Sequence, residues 1–157
     1  MSTSSPSRTR RIVLGGLAAA AVAVPLALTP TQAEAATLNG CTVTPLTPSV
    51  VTVSGNRRIL YQTRVTCAAN RIVQIRDYRY EADAPAGIGG DDYLGGVVHL
   101  RTFAAGGTVT LATLGTLPNT EAGNEEVYHR TSFRVATING VTGWTGYQNS
   151  GVRGVVS

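Results

Sequence analysis

Two histidines, nine carboxylates and thirteen arginines are the ionisable equipment of this 157-residue chain, and two cysteines complete its reactive side chains. His99 and His129 sit thirty residues apart, each inside an alternating apolar stretch. That placement reads as a partly buried or surface histidine rather than a catalytic base or a ligand. A serine nucleophile on a strained turn needs Gly-x-Ser-x-Gly, which is absent. A glycosidase needs two carboxylates about 5–10 Å apart in a cleft. Asp91, Asp92, Glu121, Glu125 and Glu126 could supply them from Gly-rich stretches, where acids are normally just solvated. The same region offers calcium ligands: Asp83, Asp91 and Asp92 would converge with Glu121, Glu125 and Glu126 if the loops 83–92 and 115–126 share one end of the fold. The spacing is not that of an Asp-x-Asp-x-Asp-Gly loop. No glycine-rich phosphate loop or dinucleotide fingerprint leads from a strand into a helix.

Arginine is the other candidate chemistry. Arg57, Arg58, Arg64, Arg71, Arg76 and Arg79 are interleaved with Tyr61, Tyr78 and Tyr80. Such a mixture on a sheet face suits nucleic acid, an acidic polysaccharide or a protein. The chain has no Lys at all, the bias of a high-GC bacterial genome, so ordinary outward strand positions must also use Arg. Without the first 35 residues the balance is ten Arg to eight acids. That charge is too small for specific nucleic-acid binding and excludes a histone-like polyelectrolyte. With 43% apolar and 14% charged residues, the chain is not a disordered one either.

Those first 35 residues read as a signal peptide. Arg8, Arg10 and Arg11 precede an apolar stretch from Ile12 to Leu28, and Ala33-Glu34-Ala35 places small residues at −3 and −1, so cleavage is expected after Ala35. Thr9-Arg10-Arg11-Ile12-Val13-Leu14 resembles the twin-arginine export signal, although Gly15 stands where that motif usually has Lys. Seventeen apolar residues at about 1.5 Å each reach only about 25 Å, short of a hydrocarbon core of about 30 Å, so no membrane span is expected in the mature protein. Leu38-Asn39-Gly40-Cys41 resembles a bacterial lipobox. Asn39 is not the usual small residue there, and the polar segment 29–37 separates Cys41 from the apolar run, which argues for a secreted, unlipidated product.

Beyond the leader the pattern is β. Cys41 and Cys67 allow one pairing, and outside the cytoplasm a disulfide is the default. Closing a loop of this length stabilises a fold by about 3.5 kcal/mol in the chain-entropy model. Alternation marks strands over 58–67, 71–82, 97–103, 108–114 and 127–138, with shorter ones at 42–44 and 50–53. Ile59, Tyr61, Val65 and Cys67 share one face; Val73 and Ile75 share another, and so do Val127, Phe133 and Val135. Tyr78 and Tyr80 fall out of phase with Val73 and Ile75, which predicts a bulge near Arg76-Asp77.

Asn139-Gly140 predicts a type I′ hairpin. Its register sets Trp144 opposite Val135, in the core, Gly146 opposite Phe133, Thr145 opposite Arg134 and Tyr147 opposite Ser132. The other face of that hairpin then carries Tyr128, Arg130, Arg134 and Tyr147, two aromatics beside two fork-shaped donors, suited to a carboxylate-bearing partner. Seven or eight strands in residues 36–157 fit a single antiparallel β-sandwich of immunoglobulin-like size, with a small barrel as the alternative. The expected function is an exported, non-catalytic binding protein that contacts an extracellular protein or a cell-wall polysaccharide. The alternative is a small secreted hydrolase using loop carboxylates. No cofactor is required by either, calcium aside.

Overall fold

The computed structural model describes residues 33–82, 90–117 and 124–156. Ten strands follow in chain order: β1 (Ala36–Leu38), β2 (Cys41–Val53), β3 (Asn56–Cys67), β4 (Arg71–Glu81), β5 (Asp92–Phe103), β6 (Gly107–Thr116), β7 (Asn124–Thr137), β8 (Gly140–Val141), β9 (Gln148–Asn149) and β10 (Arg153–Val156). They form two antiparallel sheets, ordered β1-β2-β3-β6 and β10-β7-β4-β5, with β8 and β9 also pairing with β7. No ladder joins the sheets among the described residues, so the fold is a sandwich and not a closed barrel. Residues 1–32 of the expected leader lie outside the described residues. The first strand begins at Ala36, the residue after the expected cleavage point. Upstream of that point, Glu34 N–H donates to the Asn149 carbonyl (3.0 Å).

Two tight turns build the first sheet. Asn39-Gly40 and Ser54-Gly55 hold positive φ at both central positions (47° and 77°, 50° and 79°), the type I′ geometry that matches strand twist. Cys41 lies directly opposite Cys67 across the β2–β3 ladder, and the two form a disulfide within one sheet. The stretch 38–41 that resembles a lipobox forms the first of these hairpin turns, and its cysteine is paired with Cys67.

Asn139-Gly140 behaves differently from the prediction. Ile138 and Asn139 occupy the turn, only Gly140 takes positive φ (123°), and Val141 pairs with Ala136, two residues short of the expected Ile138. The chain then leaves the ladder because threonine hydroxyls take over its acceptors. Val135 N–H donates to Thr142 Oγ1 (2.9 Å) and Phe133 N–H to Thr145 Oγ1 (3.0 Å), while the backbone N–H groups of Thr142 and Thr145 donate back. The extra length loops out between them, and pairing resumes at Gln148↔Thr131. Trp144 therefore is not core. It lies half-buried over the outer face of the second sheet, and Phe133 bonds to Thr145 rather than facing Gly146.

The bulge expected at Arg76-Asp77 is also absent. Along β4 the alternation is unbroken through Asp77, the register shift sitting beyond it between Arg79 and Tyr80. Tyr78 and Tyr80 consequently stay on the outer face, and Asp77, Arg79 and Glu81 take the inner positions. The core divides accordingly. One apolar cluster surrounds the disulfide with Val43, Val65, Ile75, Phe133 and Val135. A second joins Ile59, Tyr61, Val127 and Val155 at the other end. A buried polar layer of Thr63, Asp77, His129 and Thr131 separates them.

Candidate functional site

The polar layer is the first place to look for catalysis, since it holds a buried His–Asp pair. His129 Nδ1 lies 2.7 Å from Asp77 Oδ1, and Nε2 lies 2.9 Å from the Leu46 carbonyl, at a register shift in β2. Thr63 Oγ1 donates to the second Asp77 oxygen (3.2 Å). The ring thus faces a carboxylate on one side and a carbonyl on the other. Either both nitrogens carry protons, or the carboxyl donates to Nδ1 while Nε2–H serves Leu46. In both states no ring lone pair is left for a substrate, and His129 is fully buried. The pair is a structural clamp between β2, β4 and β7. His99 lies half-buried in the inner phase of β5, opposite Ile75, where burial and Arg101 hold its pKa below the ordinary value against the opposing pull of Asp77.

The acidic loops do emerge at one end, because Glu81 pairs with both Asp92 and Val127 and Arg58 pairs with Thr116 at the end remote from the disulfide. Asp83 and Glu121 lie outside the described residues. Glu125 is buried, whereas Asp91, Asp92 and Glu126 are exposed. Asp91 accepts a short hydrogen bond from the Tyr128 hydroxyl. Among the described residues no three His, Cys, Asp or Glu side chains are grouped to hold a metal ion.

The outer face of the β10-β7-β4-β5 sheet is where aromatic and basic groups gather. Alternation along β7 puts Tyr128, Arg130 and Arg134 there, and the returning chain brings Tyr147 to the same surface. Tyr78 and Tyr80 of β4, Tyr93 of β5 and the displaced Trp144 join them. Tyr80 pairs with Tyr128 across the β4–β7 ladder, and their rings stack at 5.4 Å with an 18° tilt. Tyr78 packs on Tyr147 (5.8 Å) and edge-on to Tyr93 (6.0 Å). Gly96 makes this possible: a Cβ there would stand 2.8 Å from Tyr78 Cε1 and 2.9 Å from the Tyr93 hydroxyl.

Three guanidiniums are threaded between these rings. Arg130 lies over Tyr80 (4.4 Å) and Tyr147 (5.0 Å) and donates to the Tyr80 hydroxyl (2.7 Å). Arg76 and Arg134 share the Trp144 ring, at 3.8 and 4.9 Å from its centroid. Arg134 Nε donates to Gln74 Oε1 (2.8 Å). None of the three has a carboxylate partner among the described residues. The four residues expected from the sequence thus share one face, with Tyr80 linking Tyr128 to Arg130 and Trp144 carrying Arg134. Arg76, Tyr78 and Tyr80 of the mixed arginine–tyrosine stretch belong to the same face, together with Tyr93 and Trp144, which the sequence pattern did not place there. The even spacing of 74, 76, 78 and 80 was the signal for the β4 members. Burial and the hydrogen bond to Asp91 push the Tyr128 phenol well above its ordinary pKa, so it remains a neutral donor.

Comparison with protein-family models, curated proteins and solved structures gave no significant match.

Proposed function

We propose that this is an exported, non-catalytic binding protein whose outer β10-β7-β4-β5 face holds a carboxylate-bearing extracellular partner, a protein or a cell-wall polymer. One observation carries the reading: Arg76, Arg130 and Arg134 are pre-oriented on aromatic rings on one face, and no carboxylate of the described chain pairs with them. Stacking fixes a guanidinium without consuming its outward fork, so its ordering cost is met before a partner arrives. Tyrosine and tryptophan beside it supply rigid apolar area, the mixture that interface centres favour. Export is supported by the leader sequence and by a disulfide, which persists in oxidising compartments. A pull-down from cell-wall and culture-filtrate fractions, run with the wild type and with the Arg130→Ser, Arg134→Ser double variant, tests the reading. Equal retention of the same partner by both forms would remove this face from consideration.

A further inference from the structure

A different part of the molecule carries a second set of donors without acceptors. Between the edge strands β5 and β6, at the end remote from the disulfide, lies a cavity of about 260 Å³ lined by Arg58 and Tyr61 of β3, Arg79 of β4, Leu94 of β5 and Gly115 of β6. Tyr61 is 1% exposed, yet among the described residues its hydroxyl has no hydrogen-bond partner, and neither has Arg79 Nε. A buried polar group left unpaired is costly, and most such groups in folded proteins find a protein, water or ligand partner. The bond from Arg79 Nη1 to the Leu114 carbonyl is long at 3.4 Å.

We propose that this cavity binds a small oxyanion: a carboxylate, phosphate or sulfate group. The Arg79 guanidinium and the Tyr61 phenol are both donors, and a planar guanidinium matches oxyanion geometry. Burial holds the Tyr61 phenol up to about 12, so it stays protonated and can only complete its bonding by donating or by taking an N–H. Two carboxylates face the same end of the core from β4. Asp77 is engaged by His129 and Thr63, and Glu81 is buried and engaged too. Glycines keep the space open on two sides. A Cβ at Gly115 would stand 2.8 Å from Tyr61 Cε2 and 3.6 Å from Arg79 Nη1, and one at Gly95, where φ is 113°, would stand 2.9 Å from Arg79 Nη2.

Calorimetric titration of the folded protein with sodium phosphate, sulfate and acetate, each against sodium chloride at matched ionic strength, tests this directly. At least one oxyanion is expected to bind with Kd at or below about 1 mM and to raise Tm. Tyr61→Phe removes only the unpartnered oxygen. It is expected to leave the Tm without anion no lower than wild type and to weaken binding about tenfold, the size of one charge-assisted hydrogen bond. Gly115→Ala and Arg79→Gln are expected to abolish binding. Oxyanions that do no more than chloride, Tyr61→Phe binding as tightly as wild type, or a lower anion-free Tm for Tyr61→Phe would each overturn the proposal.

Discussion

Replacing Asp77 by alanine strips His129 of its carboxylate in a layer that excludes water. Asp77 is 2% exposed, and His129 and Thr63 are fully buried. Removing one member of a buried pair leaves the other unpaired, at about 3–5 kcal/mol. The Thr63 hydroxyl, which donates to the same carboxylate, would lose its partner as well. A loss of about 4 kcal/mol is a large share of a typical stability of about 5–15 kcal/mol. With a urea slope near 1.5 kcal/mol/M, the midpoint should fall by about 2–3 M. His129→Leu should cost a similar amount, because it strands the carboxylate and the Leu46 carbonyl instead. The double variant has no stranded charge, so it should be at least about 2 kcal/mol more stable than the sum of the two single losses implies. Urea unfolding of all four proteins gives the coupling. Losses that add to within about 0.5 kcal/mol would refute the clamp.

Three further outcomes follow from the geometry. Trp144→Ala should cost about 1 kcal/mol, the size of a surface cation–π contact, whereas Phe133→Ala should cost about 3–5 kcal/mol; equal urea midpoints would put Trp144 back in the core. Gly96→Ala should lower stability by about 1–3 kcal/mol by displacing the Tyr78 ring, and near-UV circular dichroism should report the change in tyrosine packing; an unchanged spectrum and midpoint would contradict the close contact. His99 has a folded pKa below its ordinary 6.5, so the unfolded chain binds more protons and stability falls as pH drops through 6.5 toward the lowered value. His99→Gln should flatten that decline between pH 7 and pH 5, and a midpoint profile parallel to wild type would contradict it.

The sheets were legible in the sequence wherever one face was apolar: Ile59, Tyr61, Val65 and Cys67 read correctly, as did the disulfide, which had only one pairing open to it. β4 misled because tyrosine usually signals burial, and the partner that makes Asp77 an inner residue, His129, lies 52 residues away. No local pattern encodes that pairing. Asn-Gly forms a type I′ turn at 39–40, a signal hidden there by the resemblance of 38–41 to a lipobox. At 139–140 the pairing beside the turn is shifted by two residues and the expected register returns only at Gln148↔Thr131, because Thr142 and Thr145 bond to β7 through their hydroxyls and let Trp144 escape to the surface. That escape builds half of the arginine platform. The outer-face site was therefore partly visible: alternation located its β7 residues and even spacing marked its β4 ones, while the Trp144 component depended on tertiary bonding.

The most direct test of the binding face is titration of immobilised poly-glutamate and polygalacturonate, with neutral dextran as control, by wild type and by the Arg130→Ser, Arg134→Ser double variant at low and physiological salt. Circular dichroism should confirm that the variant is folded. Wild type should bind at least one acidic polymer, ignore dextran and weaken as salt rises, and the double variant should bind at least about tenfold more weakly. The polymer preferred separates a peptide-like from a polysaccharide partner. Binding of wild type and double variant to the same polymer with equal affinity, or no preference for acidic polymers over dextran, would contradict the assignment of this face to a carboxylate-bearing partner.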